Sequence, residues 1–252
     1  MFSNVTIGKY YPIESKLHNL NPLTKIICTI MFLIGILITN NIILYILLTI
    51  FTVILIYISR VPIICFLNNI KGLRILIIFI FIFDLIIKGS ILQASTTVLR
   101  IVLIIIYTSL LTYTTSPNEI TYGLEKSFSF LKKFKVPVQN MALTLSLALR
   151  FIPIIFEQAS KIIKSQASRG IDFNYVNIKG KLLALQSMLV PLFILSSKRA
   201  DDLATSMEIR LYGYYPQRTN YRLVPWTESD NTVVVIHLGI LIFIILSEVV
   251  MI

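Results

Sequence analysis

The sequence predicts an all-α integral membrane protein: about five transmembrane helices, plus long amphipathic helices that face the cytoplasm. Three observations carry that prediction. First, 56% of the 252 residues are hydrophobic and only 14% are charged, against about 45–50% and about 25% in ordinary soluble domains. The mean hydropathy of +0.82 would expose far too much apolar surface in water. Second, the apolar residues fall in long unalternating runs, which suit helices and are too long for barrel strands. Third, of 23 Lys and Arg residues, 15 fall in one block, residues 116–222. The net charge of +11 is therefore explained by basic segments held on the cytoplasmic side, and nucleic acid is not needed as a partner.

Residues 1–24 are polar, and no cleavable leader is expected from them. Two apolar runs follow, 25–39 and 41–59, joined by a tight turn at Asn40-Asn41. Each is near the roughly 20 residues that cross a bilayer, so they predict a helical hairpin. The stretch 60–74 carries Arg60, Lys71 and Arg74, broken by Pro62 and Gly72, and predicts a cytoplasmic loop. Runs at 74–88 and 91–114 give two further spans. The first contains one acid, Asp84, and the second one base, Arg100. Ionisable groups inside spans are costly, so the two are a candidate intramembrane pair or a snorkelling pair near an interface. The basic block comes next, and the run 232–252 closes the chain as a last span. Three regions result: 1–115, the polar N-terminal segment and four spans; 116–222, the basic block; and 223–252, the C-terminal helix. The charge rule places the N-terminus in the cytoplasm, because four spans then return the basic block to that side.

The basic block contains one design twice. In residues 150–170, RFIPIIFEQASKIIKSQASRG, Pro153 sits in an apolar stretch. A polar stripe follows at Glu157, Lys161, Lys164, Ser165 and Ser168, at helical spacing. The segment ends at Ser168-Arg169-Gly170, where glycine suits a left-handed helix cap. In residues 189–213, LVPLFILSSKRADDLATSMEIRLYG, Pro191 takes the same place. An apolar stripe runs through Ser196, Ala200, Leu203, Ala204, Met207 and Leu211, and the segment ends at Ile209-Arg210-Leu211. Each proline precedes its arginine by 16 to 19 residues, or ~25–30 Å of helix. A helix held at one end in lipid and tipped with arginine is a lever. The planar guanidinium binds carboxylates through two parallel hydrogen bonds. Two such tips suit a partner with two acidic grooves. A plain alternative is that both are ordinary cytoplasmic arginines at helix ends.

At these residues the chain resembles the T component of energy-coupling factor (ECF) transporters, the EcfT and CbiQ-like family. Ser168-Arg169-Gly170 is one substitution from the family's Ala-Arg-Gly, and SMEIRLYG is similar to its AMEARGY. The chain departs there, with Ile209 and Leu211 flanking Arg210. The absent glycine bears on close backbone approach, not on charge pairing. GKYYPIESKLHNLNPLTK, residues 8–25, and the tail YYPQRTNYR, residues 214–222, also resemble the family. The resemblance implies a coupling subunit in the membrane of a bacterium, bound to two ATP-binding-cassette (ABC) ATPases and to a membrane-embedded substrate-binding S component. It implies ATPase contacts at Arg169 and Arg210, supported by Ser168, Gly170, Glu208, Ile209 and Leu211. Leu203 and Met207 would pack between helices or on the S component. Vitamins and metal ions such as cobalt or nickel all fit as cargo of the family, and the S component would choose among them.

Other classes are less well served. GxxxxGK[ST], the phosphate-binding loop, is absent. His18 and His237 are far apart, and Cys28 and Cys65 lack metal spacing and suit small hydrophobes. No cofactor, metal or catalytic residue is expected. The alternative of a stand-alone channel or secondary transporter would rest on Asp84 and Arg100 as markers of an ion path.

Overall fold

A computed structural model of the chain describes residues 10–171, 178–214 and 224–251. Nine α-helices occur among them: α1 Pro22–Ile38, α2 Ile42–Ser59, α3 Ile63–Gly72, α4 Arg74–Lys88, α5 Ile91–Thr114, α6 Pro117–Ser127, α7 Val138–Ser168, α8 Ile178–Ile209 and α9 Glu228–Met251. A 3-10 segment, Phe128–Phe134, follows α6, and no described residue is in a strand. The all-α expectation holds. Five helices, α2, α5, α7, α8 and α9, are long and apolar enough to cross a membrane by length and composition. The membership of that set differs from the expectation. Two expected spans fall outside it: the run expected at 25–39 forms α1, 17 residues long, and the helix at 74–88 is 15 residues long, ~22 Å, short of a ~30 Å hydrocarbon layer. The long α7 and α8 meet the criterion although charges interrupt them.

Two compact units divide the chain: residues 8–143 with 224–252, and residues 144–223. In the first, α1 packs on α9, α6 and α5, while α5 also packs on α2, α3 and α4. Its core joins Phe32, Ile36, Tyr45, Leu48, Leu103, Tyr107 and Ile244. Phe32 stacks on Tyr107 with ring centroids 3.9 Å apart. The Tyr107 hydroxyl donates to His237 Nε2 at 2.6 Å, and His237 Nδ1 donates to the Val233 carbonyl at 2.8 Å. His237 thus serves as a satisfied core residue that ties α5 to α9. Gly123 lets α6 lie close on α1, since a Cβ there would come within 2.7 Å of Ile26 Cδ1 and 3.1 Å of the Pro22 backbone.

The N-terminal motif is a knot of helix caps. Asn21 caps α1 by accepting from Leu23 N–H at 3.0 Å, with Pro22 at the first helical position. Its own N–H donates to Asp230 Oδ1 at 2.9 Å, and its Nδ2 donates to the Val224 carbonyl at 2.9 Å. Asp230 is fully buried and accepts from the N–H and hydroxyl of Thr227 at 2.9 and 2.7 Å, which closes the start of α9. Lys25 Nζ donates to the carbonyls of His18 and Thr114, both at 2.9 Å. An ammonium at the C-terminal carbonyls of α5 meets the negative end of that helix. His18 joins in: its Nε2 donates to the Tyr11 carbonyl at 3.0 Å and its Nδ1 accepts from the Ser15 hydroxyl at 2.7 Å. The network selects the neutral tautomer.

The loop expected at 60–74 contains α3. Basic residues marked it as loop, but tertiary contacts make it helix. Phe66 is buried and meets Tyr113 edge-on with centroids 5.2 Å apart. The Tyr113 hydroxyl donates to the Cys65 carbonyl at 3.1 Å, and Asn69 Nδ2 donates to Ser109 Oγ at 2.9 Å.

The candidate pair of Asp84 with Arg100 is not formed. Asp84 pairs with Lys88 one helical turn away, at 2.8 Å. Arg100 reaches the hairpin turn instead: Nε donates to the Tyr45 hydroxyl at 2.8 Å and one terminal nitrogen to the Thr39 carbonyl at 2.7 Å. The reason is local. The Thr39 carbonyl at the end of α1 has no partner within the helix and accepts from both the Tyr45 hydroxyl, at 2.7 Å, and Arg100, while Lys88 lies nearer Asp84 in sequence at the favourable i, i+4 spacing. Glu248 of α9 closes the other side of the turn by accepting from Asn40 and Asn41 N–H at 2.8 and 3.2 Å.

Two measurements check this reading. Arg100→Met should cost roughly 2–3 kcal/mol through the lost charge-assisted bonds, Asp84→Asn should cost little, and the double variant should show additive losses. Thermal unfolding in detergent measures all three, and strong coupling would restore the pair. The second concerns His18, whose pKa is lowered chiefly by burial, with Lys25 adding to the shift. A folded pKa below the unfolded ~6.5 means that the unfolded chain binds more protons as the pH falls. His18 therefore contributes stability above pH ~6.5 that is lost below it. The unfolding midpoint should drop between pH 7.5 and 5.5, and His18→Gln should flatten part of that drop.

Candidate functional site: two arginine-tipped helices

The second unit, residues 144–223, holds most of α7 and all of α8. These are the longest helices described, 31 and 32 residues. Each continues through its internal proline, Pro153 or Pro191. Proline removes one backbone donor, so the carbonyls of Leu149 and Ser187 each lose an i→i−4 partner. In α7 the polar stripe of Glu157, Lys161, Lys164, Ser165 and Ser168 is exposed, while Ala159 and Ile162 on another face are buried. In α8 Leu203 and Met207 are half-buried, and Asp201, Asp202, Thr205, Ser206 and Glu208 are exposed.

Both helices end in the same backbone structure. At the end of α7, Ile171 N–H donates to the Gln166 carbonyl at 3.1 Å and Gly170 N–H to the Ala167 carbonyl at 3.0 Å. At the end of α8, Tyr212 N–H donates to the Met207 carbonyl and Leu211 N–H to the Glu208 carbonyl, both at 2.9 Å. This is the six-to-one and five-to-two pairing of a Schellman motif, which satisfies carbonyls left free at a helix terminus. Arg169 and Arg210 occupy the same position in the two motifs, the last residue before the left-handed one. The left-handed residues are Gly170, φ 89°, and Leu211, φ 56°. A residue with a Cβ loses roughly 1–2 kcal/mol in that conformation, which glycine does not. The missing second glycine therefore leaves the cap geometry intact and adds strain.

The chemistry of each tip is that of a presented cation. Arg169 and Arg210 are exposed, as are Ser168, Gly170, Glu208, Ile209 and Leu211. Neither guanidinium has a hydrogen bond or ion pair with a described residue. The backbone that carries each arginine is held by a capped helix end and not by a loose loop. The charges Asp84 and Arg100 belong to the first unit. Of the tail motif 214–222, all but Tyr214 lies outside the described residues, as do residues 8 and 9 of the N-terminal motif. The roles of Asp230 and Glu248 escaped the sequence reading. Thr227-Glu228-Ser229-Asp230 is a capping-box spacing that could have disclosed the first, whereas no local pattern marks Glu248.

Comparison with known proteins gives the family. The CbiQ family profile, described as "Cobalt transport protein", matches residues 14–221. The energy-coupling factor transporter transmembrane protein EcfT of Bacillus subtilis (strain 168) is 37% identical, over 93% of this chain and 95% of the relative. The protein of the same name from Ruminiclostridium cellulolyticum is 37% identical over 98% of each chain. That of Streptococcus equi subsp. equi is 36% identical over 94% and 95%. A multi-pass helical membrane protein with paired arginine tips and matches along nearly its whole length, this chain belongs to the CbiQ/EcfT family of transmembrane components of energy-coupling factor transporters.

Proposed function

We propose that the chain is the non-catalytic coupling subunit of an importer, with Arg169 and Arg210 as its contacts to two ABC ATPases. The observation that carries this reading is the repeated tip: two long helices, one backbone motif, and an exposed arginine at the same place in each. In the proposed mechanism each guanidinium meets a carboxylate groove on one ATPase. ATP-driven closure brings the grooves together and carries α7 and α8 with them. Their movement reorients a membrane-embedded S component, which holds the cargo and alone decides what it is, a vitamin or another micronutrient such as a metal ion. Leu203 and Met207 are the proposed packing residues for that movement. The chain is placed in the bacterial plasma membrane with its N-terminus and tips on the cytoplasmic side, as the charge distribution favours. The local satisfaction of Asp84 and Arg100 removes the main attraction of an ion path through the chain.

The test is a pull-down of the tagged chain from its native membrane in mild detergent, with mass spectrometry of what accompanies it. Two ABC ATPases and a small hydrophobic protein are expected. Arg169→Glu or Arg210→Glu should weaken ATPase retention at least ~10-fold, and the double reversal should do more. A homo-oligomer without ATPases, or full uptake by the double variant, would overturn the role.

A further inference from the structure

A groove opens where α2 meets the membrane boundary. α2 is one of the five helices that suit a span, and its 18 residues measure ~27 Å, close to one hydrocarbon layer. Its two ends therefore lie at the two membrane surfaces, whichever way the chain is oriented. The groove is at the later end and has a volume of about 960 Å³, room for a lipid headgroup and the start of its chains. Its walls come from two stretches of the first unit, within residues 14–19 and 53–63. The two levels of the groove differ in chemistry. Toward the middle of α2 the wall is apolar: Val53 and Tyr57, one turn apart on one face, are 59% and 86% exposed. At the helix end the wall is polar, with Lys16, Arg60, Glu14 and Asn19, all exposed. Neither cation has a side-chain hydrogen bond or ion pair with a described residue.

We infer that this groove binds an anionic phospholipid of the surrounding bilayer, its phosphate held by Lys16 and Arg60 and its acyl chains lying along Val53 and Tyr57. The occupant follows from place and from charge. A span is surrounded by lipid, so lipid covers the apolar wall in any case, and the polar end makes the choice among lipids. Two cations against one acid leave a net positive charge, and one unit of charge at a membrane surface is worth about fivefold in binding. The Arg60 guanidinium suits two oxygens of one phosphate, and the Lys16 ammonium adds a point charge. Tyr57 stands at the headgroup level, where aromatic rings with a polar tip concentrate. A lipid held there touches both the N-terminal segment and the end of α2. It therefore binds the folded chain and not the unfolded one, and stabilises the fold by mass action.

The experiment titrates phosphatidylglycerol or phosphatidylcholine into the full chain in a neutral detergent and reads apparent affinity from the rise of the unfolding midpoint. Phosphatidylglycerol should bind about fivefold more tightly. The double variant Lys16→Gln with Arg60→Gln should lose that preference. Glu14→Gln tests the same site by a gain, about fivefold again, and does so even if the double variant fails to fold. Lys71→Gln with Arg74→Gln removes the same charge from residues that do not line the groove, and should keep the preference. Equal losses in the two double variants would reduce the effect to diffuse attraction by a basic chain and overturn the site. So would a native chain that does not distinguish the two lipids, or a Glu14→Gln variant without gain. Inorganic phosphate that raises the midpoint as phosphatidylglycerol does would make this an anion site and overturn the lipid. Loss of ATPase retention in the Lys16 and Arg60 double variant, with lipid preference unchanged, would give the groove to a protein partner.

Discussion

Free backbone groups at helix ends are the constraint on which this structure depends. In water such groups are hydrated at little cost. In an apolar solvent each one left alone costs several kcal/mol, and a bundle of short spans has many ends. The chain meets the demand with a small set of polar side chains placed at the junctions. Lys25 takes the last carbonyl of α5, Asp230 and Asn21 close the starts of α9 and α1, and Arg100 and Glu248 close the α1–α2 turn from its two sides. Four charged residues are thereby committed to backbone groups and not to one another. This explains why the scarce charges of an apolar chain sit where they do. It also explains why the N-terminal segment is tied to both α5 and α9, elements far away in sequence.

Much of this was legible in the sequence, and the failures have a common cause. Long apolar runs disclosed α1, α2, α5 and α9, because composition alone decides whether a helix suits lipid. The paired designs around Pro153 and Pro191 disclosed α7 and α8, because helical spacing and a terminal glycine act locally. The helix α3 was missed because its formation is a tertiary matter: Phe66 and Asn69 find partners on α5 that no window around residues 60–74 contains. Arg100 was assigned the wrong partner for the same reason. Charge complementarity within neighbouring spans suggested Asp84, yet the stronger claim came from a carbonyl 61 residues away. A sequence displays opposite charges and hides unsatisfied backbone groups, so reasoning from charge alone overlooks the larger demand.

The tips show the converse case, in which backbone geometry outlasts its usual residue. Arginine followed by glycine reads as a capped helix end, and the departure at Leu211 raised the question whether the second cap survives. It does, with the same two hydrogen bonds and a left-handed residue in the same place. The cost of roughly 1–2 kcal/mol is small beside the full set of contacts that hold a 32-residue helix in place. A local preference therefore yields here to the pattern of hydrogen bonds that terminates the helix.

That persistence bears on how force could pass through the chain. A guanidinium at the end of a flexible loop would follow a moving partner without moving anything else, because the loop would absorb the displacement. A residue that closes a Schellman motif has its backbone joined to the helix body by two hydrogen bonds, so in the proposed role a pull at the tip would reach α7 or α8 through that cap. The internal prolines lie ~25–30 Å from the tips, where each leaves one carbonyl without its i→i−4 partner. Bending is cheapest at those points. An arm capped at its tip, a cation presented there and a weakened point near its middle are the parts from which the proposed lever would be built. Both long helices of the second unit supply all three.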